Sequence, residues 1–120
     1  MRVSTIAFVA FALLSSLGIG CGEAGLGDCP SDSAAAEAAG QKIVEASCNY
    51  CHGSQVAGSA RQGAPDNLNF DVLATAKSEA EEMYSEAESG SMPPSGTKIT
   101  GTDLENMRVW LACGAKDTTP

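Results

Sequence analysis

Large rings are scarce in this chain. It carries one Trp, two Tyr and three Phe, 5% of its 120 residues. Alanine and glycine are plentiful instead, so side chains alone would struggle to fill the core of a domain this small. Positive charge is also short, with 7 Lys and Arg against 15 Asp and Glu and a formal net charge of -8. That balance argues against nucleic acid, whose binding relies on Lys and Arg neutralising phosphates. It suits a protein that docks on basic surfaces. No stretch alternates as a half-buried strand would, and no internal repeat is visible. No apolar run approaches the ~20 residues that a membrane-spanning helix needs. Histidine occurs once, at His52.

What is present begins with a leader. Arg2 precedes an apolar run from Ile6 to Leu14, the pattern of a secretory signal peptide over residues 1–20. Gly18-Ile19-Gly20-Cys21 resembles the lipobox of bacterial lipoproteins, with Gly18 where that motif favours leucine and Leu17 one place further back. The resemblance implies lipid on Cys21 and anchoring to a membrane facing the periplasm. The alternative is a soluble exported protein with a spare cysteine. Residues 21–30, CGEAGLGDCP, read as a flexible tether.

The remainder, 31–120, reads as one all-α domain. Ser31 or Asp32 can cap an alanine-rich helix running to Ser47, with Ala36, Gly40, Ile43 and Val44 on one face. Residues 53–69 are loop-like. A second helix is predicted over 71–89, its apolar positions Val72, Ala76, Ala80, Met83 and Ala87 stepping by three and four. Its acids Glu79, Glu81, Glu82, Glu86 and Glu88 are expected mostly on a solvated face. Residues 90–101 hold two adjacent prolines, Pro93 and Pro94, which cannot sit inside a helix. A last helix is predicted after Thr102 or Asp103, with Leu104, Met107, Trp110 and Leu111 on one side and Gly114 ending it.

The chemistry concentrates in SCNYCHG, residues 47–53. Cys48, Cys51 and His52 fit C-x-x-C-H, the attachment site of c-type haem. Two thiols a few residues apart can form thioethers with the two vinyl groups of one porphyrin. The adjacent His52 can then take an axial position on the iron. A thioredoxin-like redox pair would follow a buried strand, and none is predicted. A structural zinc site wants four ligands, and this cluster offers a tight and incomplete set. With a single histidine, two-histidine ligation within the chain is impossible, so a thioether is the natural sixth ligand. Met83 and Met107 fall on apolar helix faces and read as core. Met92 lies in the proline-stiffened loop and is the favoured ligand; the alternative is a solvent-facing Met92 beside an open or Lys-ligated iron.

With these residues the chain resembles the class I cytochromes c, small single-haem electron carriers, over about residues 31–114. The family fold implied is a set of three to five helices wrapped around one covalent haem c. Gly40, eight residues before Cys48, matches a glycine of the family's first helix, and Val44 matches a position usually aromatic or aliphatic. Trp110, in MRVWLACG, matches the last-helix aromatic that packs on that glycine. Pro65, in GAPDNLNF, matches a proline whose carbonyl accepts the free N–H of the proximal histidine, with Leu68 packing in the haem pocket. The SMPPSG stretch resembles the family's distal methionine loop, which makes Met92 the distal ligand. Because the family's first and last helices pack together, the resemblance also makes a disulfide between Cys29 and Cys113 plausible; the alternative is two free or adventitiously oxidised thiols. The implied function is electron transfer between redox partners with basic docking faces, outside the cytoplasm and without catalysis. The alternatives are a haem peroxidase or gas sensor with an open distal position, and a fixed haem subunit of a larger redox complex.

Overall fold

Alanine is the strongest helix former, and the alanine-rich stretch folds as α1, Ala34–Ser47. A computed structural model describes residues 25–120; the leader and Cys21 lie outside the described residues. The helix starts later than the sequence suggests. Residues 31 and 32 form a turn, and Ser33 takes the N-cap position. Its carbonyl accepts the Glu37 N–H at 2.8 Å, while its hydroxyl donates to the Glu37 carboxylate. The Ser33 hydroxyl, with Lys116 3.1 Å away, holds that carboxyl below its ordinary value.

Helix α1 runs directly into a single turn, α2, Asn49–His52. A 3₁₀ turn follows at Gly58–Arg61. The single helix expected over 71–89 is two, α3 at Leu73–Ser78 and α4 at Ala80–Glu88. The chain breaks at Glu79, whose ψ of 12° is not helical. The Ser78 hydroxyl donates to the Thr75 carbonyl at 3.0 Å, the same carbonyl that takes the Glu79 N–H. Such back-bonding competes with the helical ladder and loosens the last turn. Val72, expected on the apolar face, is extended and exposed ahead of α3. Ala76, Ala80, Met83 and Ala87 are buried.

The last helix, α5, spans Gly101–Ala112, beginning slightly earlier than expected. Gly114, at φ +93°, follows its end. The Gly114 N–H bonds the Leu111 carbonyl and the Ala115 N–H bonds the Trp110 carbonyl, the paired bonds of a Schellman stop. The chain beyond folds back over α1. Gln41 Oε1 accepts from the Thr118 N–H and hydroxyl at 2.7 and 2.6 Å, and Trp110 Nε1 donates to the Lys116 carbonyl at 2.8 Å.

Helices α1 and α5 cross at Gly40. A Cβ there would fall on the Asn106 carbonyl and 2.7 Å from Trp110 Cβ, so only glycine permits the crossing. Val44 and Trp110, both 1% exposed, fill the space beside it. Gly40→Ala is expected to destabilise the holoprotein by at least ~1–3 kcal/mol, the usual cost of overpacking. A denaturant midpoint unchanged from wild type would show that the helices part freely.

A disulfide joins Cys29 to Cys113, with Cα atoms 4.8 Å apart. It clamps the segment before α1 to the end of α5. Leu26 packs against the core and its carbonyl accepts from Arg108, so this end of the 21–30 segment lies docked on the domain. Replacing both cysteines by serine is expected to cost ~2–4 kcal/mol, read as a lower thermal midpoint. An unchanged midpoint would mean that the docked segment contributes nothing.

Candidate haem-binding cavity

The turn that carries Cys48, Cys51 and His52 opens onto a cavity of about 840 Å³, within the ~300–1,000 Å³ of pockets that take small molecules and cofactors. Its walls come from every helix but α3. Residues 46–52 form one side, the loop bearing Pro65, Leu68 and Phe70 a second, and α4 with the Met92 loop a third. Met83, Ile99 and Met107 are its buried apolar floor.

The helical turn explains the thiol placement. The His52 N–H bonds the Cys48 carbonyl at 2.9 Å, so the two thiols and the imidazole follow one another around a single turn. Cys48 and Cys51 are unpaired and half-buried. Burial pushes the Cys48 thiol up to about 11. It therefore lacks the thiolate character that disulfide-exchange cysteines depend on. Among the described residues, the one close grouping of three His, Cys, Asp or Glu side chains lies elsewhere, at Cys29, Glu37 and Cys113, and its two cysteines are joined in the disulfide. The turn thus lacks a four-ligand zinc set.

His52 is held from two directions. Its ring stacks on Phe70, with centroids 4.5 Å apart and planes 20° from parallel. Its Nδ1 lies 3.0 Å from the Leu68 carbonyl oxygen. A carbonyl can only accept, so Nδ1 carries the proton and Nε2 is left with a free lone pair. The sequence comparison had given this role to the Pro65 carbonyl; the structure gives it to Leu68. The Pro65 carbonyl is engaged otherwise, by Arg61 Nη2 at 2.5 Å and the Leu68 N–H at 3.1 Å. Pro65 and Leu68 both line the cavity.

Met92 borders the same cavity and is 41% exposed. Its loop is fastened at two points. The Met92 N–H donates to the Glu86 carbonyl at 3.0 Å, and Lys98 Nζ donates to the Pro93 carbonyl. Three of the acids expected on a solvated face, Glu79, Glu82 and Glu86, border the cavity. They recur at helical spacing from the N-cap of α4 along its cavity-lining face.

Two residues at the site went unassigned in the sequence. Phe70 carries a signal, as the only aromatic between Tyr50 and Tyr84. Arg61, buried at the end of the 3₁₀ turn, carries none, since most of its partners are backbone carbonyls.

The donor set fits haem c on grounds internal to the structure. Two unpaired thiols, an imidazole with a free nitrogen and a thioether share an apolar-walled cavity that the chain does not fill. Residues 35–111 match the family model described as cytochrome c oxidase, cbb3-type, subunit III. No curated protein and no solved structure matches the chain.

Proposed function

Because the chain belongs to the class I c-type cytochromes through that family, with covalently bound haem c as its cofactor, we propose that it is an electron carrier with a closed, six-coordinate site. Cys48 and Cys51 would hold the haem through thioethers. His52 Nε2 would be the proximal ligand and the Met92 sulfur the distal one. Haem c supplies a one-electron Fe(III)/Fe(II) couple, and methionine opposite histidine raises its potential.

The observation that carries this reading is the shared cavity, lined by Cys48, Cys51, His52 and Met92 together. The Leu68 carbonyl fixes the His52 tautomer and strengthens the ring as a ligand. The two fastenings of the Met92 loop support this reading by keeping Met92 at the cavity wall. Met83, Ile99 and Met107 exclude water from the interior. Glu79, Glu82 and Glu86, which border the cavity, would steer the protein towards a partner with a basic docking face.

The leader would direct export, and Cys21 would carry the lipid that keeps the domain near a periplasmic membrane surface. No helix among the described residues is long and apolar enough to cross a membrane. The description of the family model favours a second reading, a fixed haem subunit of a larger redox assembly. Purification from gently solubilised membranes separates the two: a free carrier elutes alone, a subunit with its assembly.

A potentiometric titration of the holoprotein tests the proposal. A reversible single-electron transition, with no ligand uptake in either state, is expected. Turnover of peroxide at the rate of a dedicated peroxidase would replace the carrier with an enzyme.

A further inference from the structure

Arg61 is a buried cation whose neighbouring carboxylates, Asp66 and Asp71, are both exposed. Its side chain is 5% exposed, and its one ion-pair partner, Asp66, is 98% exposed at 3.5 Å. A buried charge is costly unless it is hydrogen-bonded, and here backbone oxygens meet the demand. Nε donates to the Ala64 carbonyl at 3.1 Å. Nη1 donates to the Gly53 and Val56 carbonyls, both at 3.1 Å, and to Asn69 Oδ1 at 3.0 Å. Nη2 donates to the Pro65 carbonyl at 2.5 Å and the Leu68 carbonyl at 3.2 Å.

The last contact carries a consequence for the metal site. The Leu68 oxygen is the one that accepts from His52 Nδ1. A carbonyl oxygen has two lone pairs, and here one faces the imidazole and the other a permanent cation. We propose that Arg61 is a positioning residue for His52, holding the Leu68 carbonyl in place and weakening it as an acceptor. This deepens the carrier proposal and rests on its assignment of His52 as the proximal ligand.

Two effects follow. A firmly held carbonyl fixes the plane of the imidazole, alongside the Phe70 stack. A carbonyl already polarised by a guanidinium draws less on the His52 N–H. The ring is then a weaker electron donor than an undisturbed carbonyl would make it. A weaker donor favours the ferrous state and raises the potential. The fork of Arg is needed for this, because a lysine offers a point charge and cannot span several carbonyls at once.

The test uses the holoprotein and the variants Arg61→Gln and Arg61→Lys, compared only where the absorption spectrum retains the wild-type ligand bands. Loss of those bands in the wild-type protein would count against the carrier proposal itself. For Arg61→Gln the expected result is at least a tenfold rise in the ferric-to-ferrous ratio at fixed ambient potential, ~59 mV downward for one electron. Arg61→Lys should fall between that variant and wild type. In both, the His52 Nδ1 proton of the ferrous protein should shift in the NMR spectrum. A lower melting temperature with unchanged potential and unchanged His52 resonance would overturn the proposal, leaving Arg61 a purely structural staple. Should neither variant fold, wild-type ferrous protein decides. Slow solvent exchange of both the Arg61 Nη and His52 Nδ1 protons supports the shared carbonyl. Exchange of the Arg61 protons as fast as from an exposed guanidinium overturns it.

Discussion

Replacing Cys48 and Cys51 together by alanine should leave a chain that carries no covalent haem and does not fold cooperatively. The magnitude decides this. In a dry core, residual cavity costs ~24 cal/mol per Å³. If only a quarter of the 840 Å³ cavity behaved as dry space, the cost would be ~5 kcal/mol. Small domains have only ~5–15 kcal/mol of net stability in all. The buried side chains are mostly small, with Ala76, Ala80, Ala87 and Ala115 among them. Trp110 serves the α1–α5 crossing, on the far side of Gly40. Few large side chains remain to collapse into the gap. Circular dichroism of the double variant, with the Cys29–Cys113 bond intact, should show weak helicity and no cooperative melt. A sharp thermal transition would mean that the helices hold together without the cofactor, contrary to this view of the core.

The second large effect belongs to Met92. Met92→Ala should lower the midpoint potential enough to raise the ferric-to-ferrous ratio at least a hundredfold, ~120 mV at 59 mV per decade. It should also open the site to carbon monoxide in the ferrous protein. The reason is chemical, since the thioether favours ferrous iron and water does not. Folding should suffer little, because Met92 is partly exposed. Met83 and Met107 give the contrast. They are 5% and 1% exposed in the same cavity, and either alanine variant should lose ~2–5 kcal/mol of stability while keeping its distal ligand. A large potential drop in Met83→Ala with none in Met92→Ala would reassign the ligand.

These expectations could be drawn largely from the sequence because the signals involved are local. The C-x-x-C-H spacing is set by one helical turn, which the Cys48 carbonyl closes onto the His52 N–H. Gly40 and Trp110 lie on helices whose periodicity is plain, and their meeting follows once the two helices pack. The Met92 loop is bounded by prolines that no helix accepts. What the sequence hid depends on contacts between segments. The choice of Leu68 over Pro65 as the acceptor for His52 turns on how the loop from Arg61 to Phe70 folds, with the Pro65 carbonyl turned to the Leu68 N–H and the Leu68 carbonyl to the imidazole. No pattern marks an arginine that bonds five backbone carbonyls. Helix boundaries were displaced for the same reason. Asp71 was expected to open a helix, but its carboxylate is taken by the Ser54 N–H and hydroxyl. That contact ties residue 71 to the chain just after His52, and α3 starts two residues later. The break at Glu79 comes where the Ser78 hydroxyl shares the Thr75 carbonyl with the helical ladder, a contact that propensity alone does not weigh.

The acidic helix illustrates a subtler limit. Five glutamates from Glu79 to Glu88 read as a mostly solvated face, yet Glu79, Glu82 and Glu86 border the cavity. Helical spacing placed them together; only the packing of α4 beside the Met92 loop placed them at the site.

The central claim is that His52 and Met92 close the iron from both sides. The most direct test is the absorption spectrum of purified ferric holoprotein, scanned for the weak far-red band of a sulfur–iron bond, followed by carbon monoxide added to the ferrous form. The account predicts that the band is present, that it disappears in Met92→Ala, and that the native ferrous protein binds no carbon monoxide. A native protein without the band that takes up carbon monoxide readily would contradict it, and would make the site an open one built for a ligand rather than an electron.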